Sequence, residues 1–146
     1  LIVTITESYT LNGVDYGNTM NKTYTDNGQV SQRVMSIAGK GAEATVWTDI
    51  LALSTVDGQG QVVKADYKYF RITNLDTVNT LHLRTYNGAD YVAFEVAPAS
   101  SLLLMDAGYD GTLTSTIVTL RDIEAISGQS SSTTEAIDVE FVMVTA

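Results

Sequence analysis

Short runs of alternating apolar and polar positions, each closed by Asn, Asp, Gly or Pro, fill most of this chain. That period of two predicts half-buried antiparallel strands joined by tight loops. The pattern is clearest from Tyr67 to Met105. If Phe70 and Ile72 point inward, then Tyr69, Arg71 and Thr73 point outward, because successive side chains of a strand take opposite faces. By the same alternation Leu81 and Leu83 face in with His82 and Arg84 out. Val92, Phe94 and Val96 face in, opposite Tyr91, Ala93 and Glu95. Asn87-Gly88 between these runs suits a tight connection of paired strands.

The remaining segments read the same way. Ile2 to Tyr9 predicts a first strand, followed by loop at Asn12-Gly13 and Asp15-Tyr16-Gly17. Thr19 to Thr25 predicts a weaker edge strand. Asp26-Asn27-Gly28 is a turn signal, which makes Val30 to Ile37 the other arm of a hairpin with it. Ala42 to Leu53, with the single tryptophan Trp47, reads as strand on its Thr and Val content, although Val46, Ile50 and Leu53 also suit a helix face. Asp57 to Gly60 predicts a turn and Asp106 to Gly111 a loop. Leu113 to Ala125 predicts one or two strands, against a helical spacing of Ile117, Leu120 and Glu124. Gly128 to Thr134 reads as a Gly/Ser/Thr loop, and Ala136 to Thr145 as a strand with Ile137, Val139, Phe141 and Met143 inward. The expectation is all-β: one domain over 1–146, an antiparallel β-sandwich, jelly-roll-like, of about eight strands.

Composition narrows the chemistry. A chain of 146 residues buries a core without staples, and with no cysteine it offers neither a disulfide nor a thiolate metal site. A net charge of −9 argues against nucleic acid, which needs a basic face to displace counterions. No run approaches the roughly 20 apolar residues of a membrane helix. The segment Leu1 to Ile5 has neither the basic stretch nor the cleavage site of a signal peptide, and it lacks Met. With His82 as the only histidine, a histidine triad or a multi-histidine metal site is outside the chain's means. Asp49, Asp57, Glu95, Asp106, Asp110, Glu124, Asp138 and Glu140 could in principle supply the two carboxylates of a glycosidase, but no spacing selects a pair. Asp106 and Asp110 with their glycines have the composition of a calcium loop without its ligand spacing, and Asn21-Lys22-Thr23 fits a glycosylation sequon. The expectation is no catalytic residue, no metal and no cofactor.

Tyrosine stands out, eight against three phenylalanines. Tyr presents a large ring with a wet hydroxyl, which suits interfaces and sugar platforms. Tyr67, Tyr69, Arg71, Tyr86 and Tyr91 are therefore the candidate interface residues, taken as neighbours on one sheet. Tyr69-Phe70-Arg71-Ile72-Thr73-Asn74-Leu75-Asp76, then Leu81-His82-Leu83-Arg84, Tyr91 to Val96, the Pro98-Ala99-Ser100-Ser101 turn, Leu102 to Leu104 and the closing Asp138 to Val142 strand resemble small virion structural proteins of tailed phages. The resemblance covers roughly the C-terminal half. It implies a non-enzymatic decoration or cement protein on the capsid surface, whose partners are the major capsid protein or another virion protein and further copies of itself, for instance as a trimer. Three other readings compete: a carbohydrate-binding, lectin-like module using the Tyr face and the Asp/Asn loops; a filament subunit that donates Ile2 to Tyr9 to a neighbour; and a two-carboxylate hydrolase.

Overall fold

β-branched and aromatic residues at alternate positions form most of the strands that the sequence pattern predicts, and no helix occurs among the described residues. The structure is a computed structural model that describes residues 1–25, 28, 30–42, 46–54, 62–63, 67–105 and 123–145; for Ser54, Val63, Tyr67 and Met105 it describes the backbone alone. In chain order the strands are β1 (Ile2–Glu7), β2 (Thr10–Leu11), β3 (Val14–Asp15), β4 (Asn18–Thr23), β5 (Val30–Ile37), β6 (Thr48–Ser54), β7 (Val62–Val63), β8 (Tyr67–Asn74), β9 (Leu81–Tyr86), β10 (Tyr91–Val96), β11 (Ser101–Met105), β12 (Ala125–Ser130) and β13 (Ile137–Thr145). There are more strands than the eight or so expected.

Eight of them make the body. One sheet runs β11-β8-β13-β5, and the other β10-β9-β12-β6 with the two-residue β7 added in parallel at its edge. Among these eight, the first in sequence pairs with the last (β5 with β13), the second with the seventh (β6 with β12), the third with the sixth (β8 with β11) and the fourth with the fifth (β9 with β10), all antiparallel. The ladders β13·β8 and β12·β9 then join these pairs into sheets. This is one long hairpin rolled up on itself, the strand order of a jelly roll.

The inward phases of the two sheets meet in a single core. Phe70, Ile72, Val139, Phe141 and Met143 come from one sheet and Ile50, Leu81, Leu83 and Ile126 from the other, each nearly or wholly buried. Phe70 and Phe141 stack with centroids 6.1 Å apart. Each such side chain contributes about 1.5–3 kcal/mol of transfer free energy. The alternation read from Phe70 to Val96 holds, with Val92 and Phe94 half-buried because β10 is an edge strand.

Two sequence expectations fail. Gly128 to Ser130 is the end of a central, buried strand and not a loop. Ile50 Cδ1 and Leu81 Cδ1 would lie 3.0 Å from a Cβ at Gly128, so the small residue lets both large ones close over β12. The Thr19 to Thr25 segment pairs with β1, not with Val30 to Ile37, which pairs with β13 instead. The strand around Trp47 begins only at Thr48, and the expected turn at 57–60, the loop at 106–111 and most of 113–125 lie outside the described residues.

The turn after β8 is built by side chains. Asn74, fully buried, donates to the carbonyls of Asn79, Val96 and Ala97 at 2.9, 3.1 and 3.3 Å and accepts from the Asp76 amide. Asp76 Oδ1 in turn accepts from the Val78 and Asn79 amides at 2.6 Å. Those backbone donors hold the Asp76 carboxyl below its ordinary range.

Candidate interaction surfaces

The N-terminal residues build a two-stranded ribbon outside both sheets. β1 and β4 pair in register from Ile2↔Thr23 to Glu7↔Asn18, and β2 and β3 continue the ribbon to a tip. At the tip Asn12 and Gly13 both take positive φ, 52° and 80°, the two-residue geometry whose twist matches paired strands. Tyr9 and Tyr16 stack beneath it at 5.8 Å, and the Tyr16 amide donates to the Tyr9 carbonyl.

The cross-strand partners give this ribbon one largely apolar face: Ile5 and its partner Met20, Val3 opposite Lys22, whose ammonium lies over the Tyr24 ring, and Tyr24 opposite Leu1. Its root packs on the outer face of the four-stranded sheet, where Tyr24, Tyr69 and Val144 form a buried cluster flanked by Val3, Leu103 and Val142. Towards the tip the cover thins. Tyr24 is 5% exposed and Met20 48%, while Tyr9, Leu11, Val14 and Tyr16 all exceed half exposure. Of the thirteen large apolar residues exposed among those described, seven fall in the first twenty positions. Scattered exposed apolar residues need no explanation, but a cluster on one element marks a contact surface. Beside the root lies a groove of about 320 Å³ between β1 and the sheet, lined among others by Ile5, Gln32, Arg71 and Leu103. On the adjoining edge strand β5, Val30 and Val34 are 61% exposed.

The proposed Tyr interface does not come together as one patch. Tyr69 is buried under the ribbon root, its hydroxyl pKa raised by that burial and partly offset by Arg71. Arg71 is half-buried and bound to Glu140 at 2.6 Å, whose other oxygen accepts from Gln32. Tyr67 opens β8, and its side chain is outside the described residues. Tyr86 and Tyr91 belong to the other sheet, on β9 and β10. Their outward phase faces away from that of Tyr69 and Arg71, since each sheet turns its other side to the shared core. Period two assigns a side chain to a face but does not say which sheet a strand joins, so the sequence could not separate the two groups.

On that second face the rings of Tyr86 and Tyr91 stack at 4.7 Å, and the Tyr86 hydroxyl donates to the Gly88 carbonyl at 2.5 Å. The Arg84 guanidinium lies 4.6 Å from the Tyr91 ring centre and 4.1 Å from that of Trp47. His82 faces Glu95 at 3.8 Å. A further cleft, about 360 Å³, opens where β5 and β6 part, and Arg33 crosses it to donate to the Ile50 carbonyl over the Phe141 ring.

Among the described residues no group of three or more His, Cys, Asp or Glu side chains could hold a metal ion. Asp57, Asp106 and Asp110, and with them the calcium-type loop, lie outside those residues. Comparison with protein-family models, with curated proteins and with solved structures found no match for the chain.

Proposed function

We propose that this chain is a non-enzymatic structural protein of a phage particle, a decoration or cement protein that sits on the capsid and binds the major capsid protein and neighbouring copies of itself. The observation that carries the proposal is the ribbon of residues 1–24, anchored at its root to a jelly-roll body and uncovered over the apolar half that leads to its tip. Two strands alone are marginal in water. A ribbon that keeps Leu11, Val14, Tyr9 and Tyr16 in solvent gains most when a neighbouring surface covers them. Jelly rolls recur in capsid and lectin domains, which supports the reading by fold analogy. The resemblance in Tyr69 to Asp76 and the strands after it points to the same setting.

The test compares the wild-type chain with a double substitution at the tip, Leu11→Asp and Val14→Asp. Light scattering is expected to show a closed oligomer, a trimer in the simplest arrangement, for the wild type and a monomer for the variant, both with the same far-ultraviolet spectrum and melting temperature. Antibody labelling of particles from the source lysate should place the protein on capsids at many copies per shell. A wild-type chain that stays monomeric at high micromolar concentration and is missing from purified particles would overturn the proposal.

A further inference from the structure

The outward face of the five-stranded sheet holds an arginine with no polar partner among the described residues. Arg84 forms no hydrogen bond and no ion pair with any described residue, and its Nε is buried with no acceptor. Its contacts are the two rings, Trp47 and Tyr91. The chain has 17 acidic residues against 8 Lys and Arg, so a cation left unneutralised in it is out of keeping with the composition. A guanidinium that rests its face on aromatic rings still presents N–H groups along its edge, in a fork that matches a carboxylate. Directly beside Arg84 in the sheet stand Ala93 on β10 and Ser127 on β12, both small. Tyr91 lies next to it, 55% exposed although its ring also stacks on Tyr86.

We infer that this face binds a saccharide bearing a single carboxylate, with the acid group on the Arg84 edge and the C–H face of the sugar ring on Tyr91. Three features favour a sugar over a protein partner. The outward neighbours Glu95, His82 and Asp49 are polar groups suited to hydroxyls, whereas the centre of a protein interface is apolar and depleted of charge. The side chains gathered around Arg84 are far fewer than the roughly 20–30 residues a side of a stable protein contact. The molecule's net charge of −9 repels an extended acidic chain, while one isolated carboxylate meets one isolated cation. The site is separate from the ribbon and gives the particle protein a means of holding an acidic glycan.

Trp47 is the only tryptophan, so its emission reports on this site alone. Titration of the full chain with a uronic-acid-terminated oligosaccharide is expected to give a saturable change in that emission. The neutral oligosaccharide of the same length should bind about tenfold more weakly, as should the acidic one to Arg84→Gln. Tyr91→Ala should lose binding of both sugars. A flat wild-type titration, equal affinity for the acidic and neutral sugars, or tighter binding of a glutamate-rich peptide than of the sugar would each overturn the inference. The wild-type comparison needs no variant, and repeating it on the tip-substituted protein keeps the outcome independent of self-association.

Discussion

Asn74 shows how much a single polar side chain can organise. It ends β8 in one sheet, and its amide nitrogen reaches the carbonyl of Val96 at the end of β10 in the other. In sequence it reads as loop punctuation before Leu75-Asp76, because Asn is common in turns and nothing in a period-two pattern marks a polar residue as buried. Replacing it leaves buried carbonyls without a donor. Asn74→Ala is expected to lower the unfolding free energy by about 2–3 kcal/mol, read as a shift in urea midpoint with little change in slope. Arg84 was invisible for a related reason. Alternation placed it outward, but only the fold brings Trp47 from a distant segment against it.

At the scale of elements, the strands that alternate large apolar and polar residues were legible and the strand made of small residues was not. β13 follows its pattern from Ile137 to Met143. β12 reads Ala-Ile-Ser-Gly-Gln-Ser, a composition that by local propensity belongs to a loop, and it becomes a central strand because β6 and β9 pair with both of its edges. Its small residues make room for the large residues of the sheets around it. Gly128→Val would drive a branched side chain into Ile50 and Leu81, already 3.0 Å from a bare Cβ. Overpacking of this kind costs about 1–3 kcal/mol, so a fall in melting temperature is expected, larger than for Ser131→Val in the more open turn beyond. The ribbon was misread for the opposite reason. Asp26-Asn27-Gly28 carries strong turn chemistry, but a turn signal does not specify which strand the chain pairs with after it.

For the whole molecule, class and architecture followed from strand spacing, whereas the division of tyrosines between two opposite faces needed the rolled topology. That division gives the chain two independent surfaces, the ribbon with its groove beside the four-stranded sheet and the Arg84 face on the five-stranded sheet. The self-association proposed for the apolar ribbon would bring together chains of charge −9, which repel one another. Raising the salt from about 0.05 to about 0.5 M shortens the Debye length and is expected to tighten the oligomer, measured by sedimentation equilibrium. An oligomer that loosens with salt would mean that ion pairs hold it, and the ribbon would lose its assigned role.

The rolled strand order also sets a sequence of events in time. The rungs span increasing lengths of chain: Tyr86 and Tyr91 meet across a four-residue loop, Thr73 and Ser101 across a longer excursion, and Ile37 meets Ile137 last. Closing each wider loop costs more chain entropy than the one inside it, and folds dominated by such distant pairings form slowly. The middle of the chain is therefore expected to form first, with β5 lacking its partner until β13 has been synthesised. A nascent chain halted before residue 137 lacks the strand that lies between β8 and β5, and would emerge from the ribosome with its four-stranded sheet divided in two.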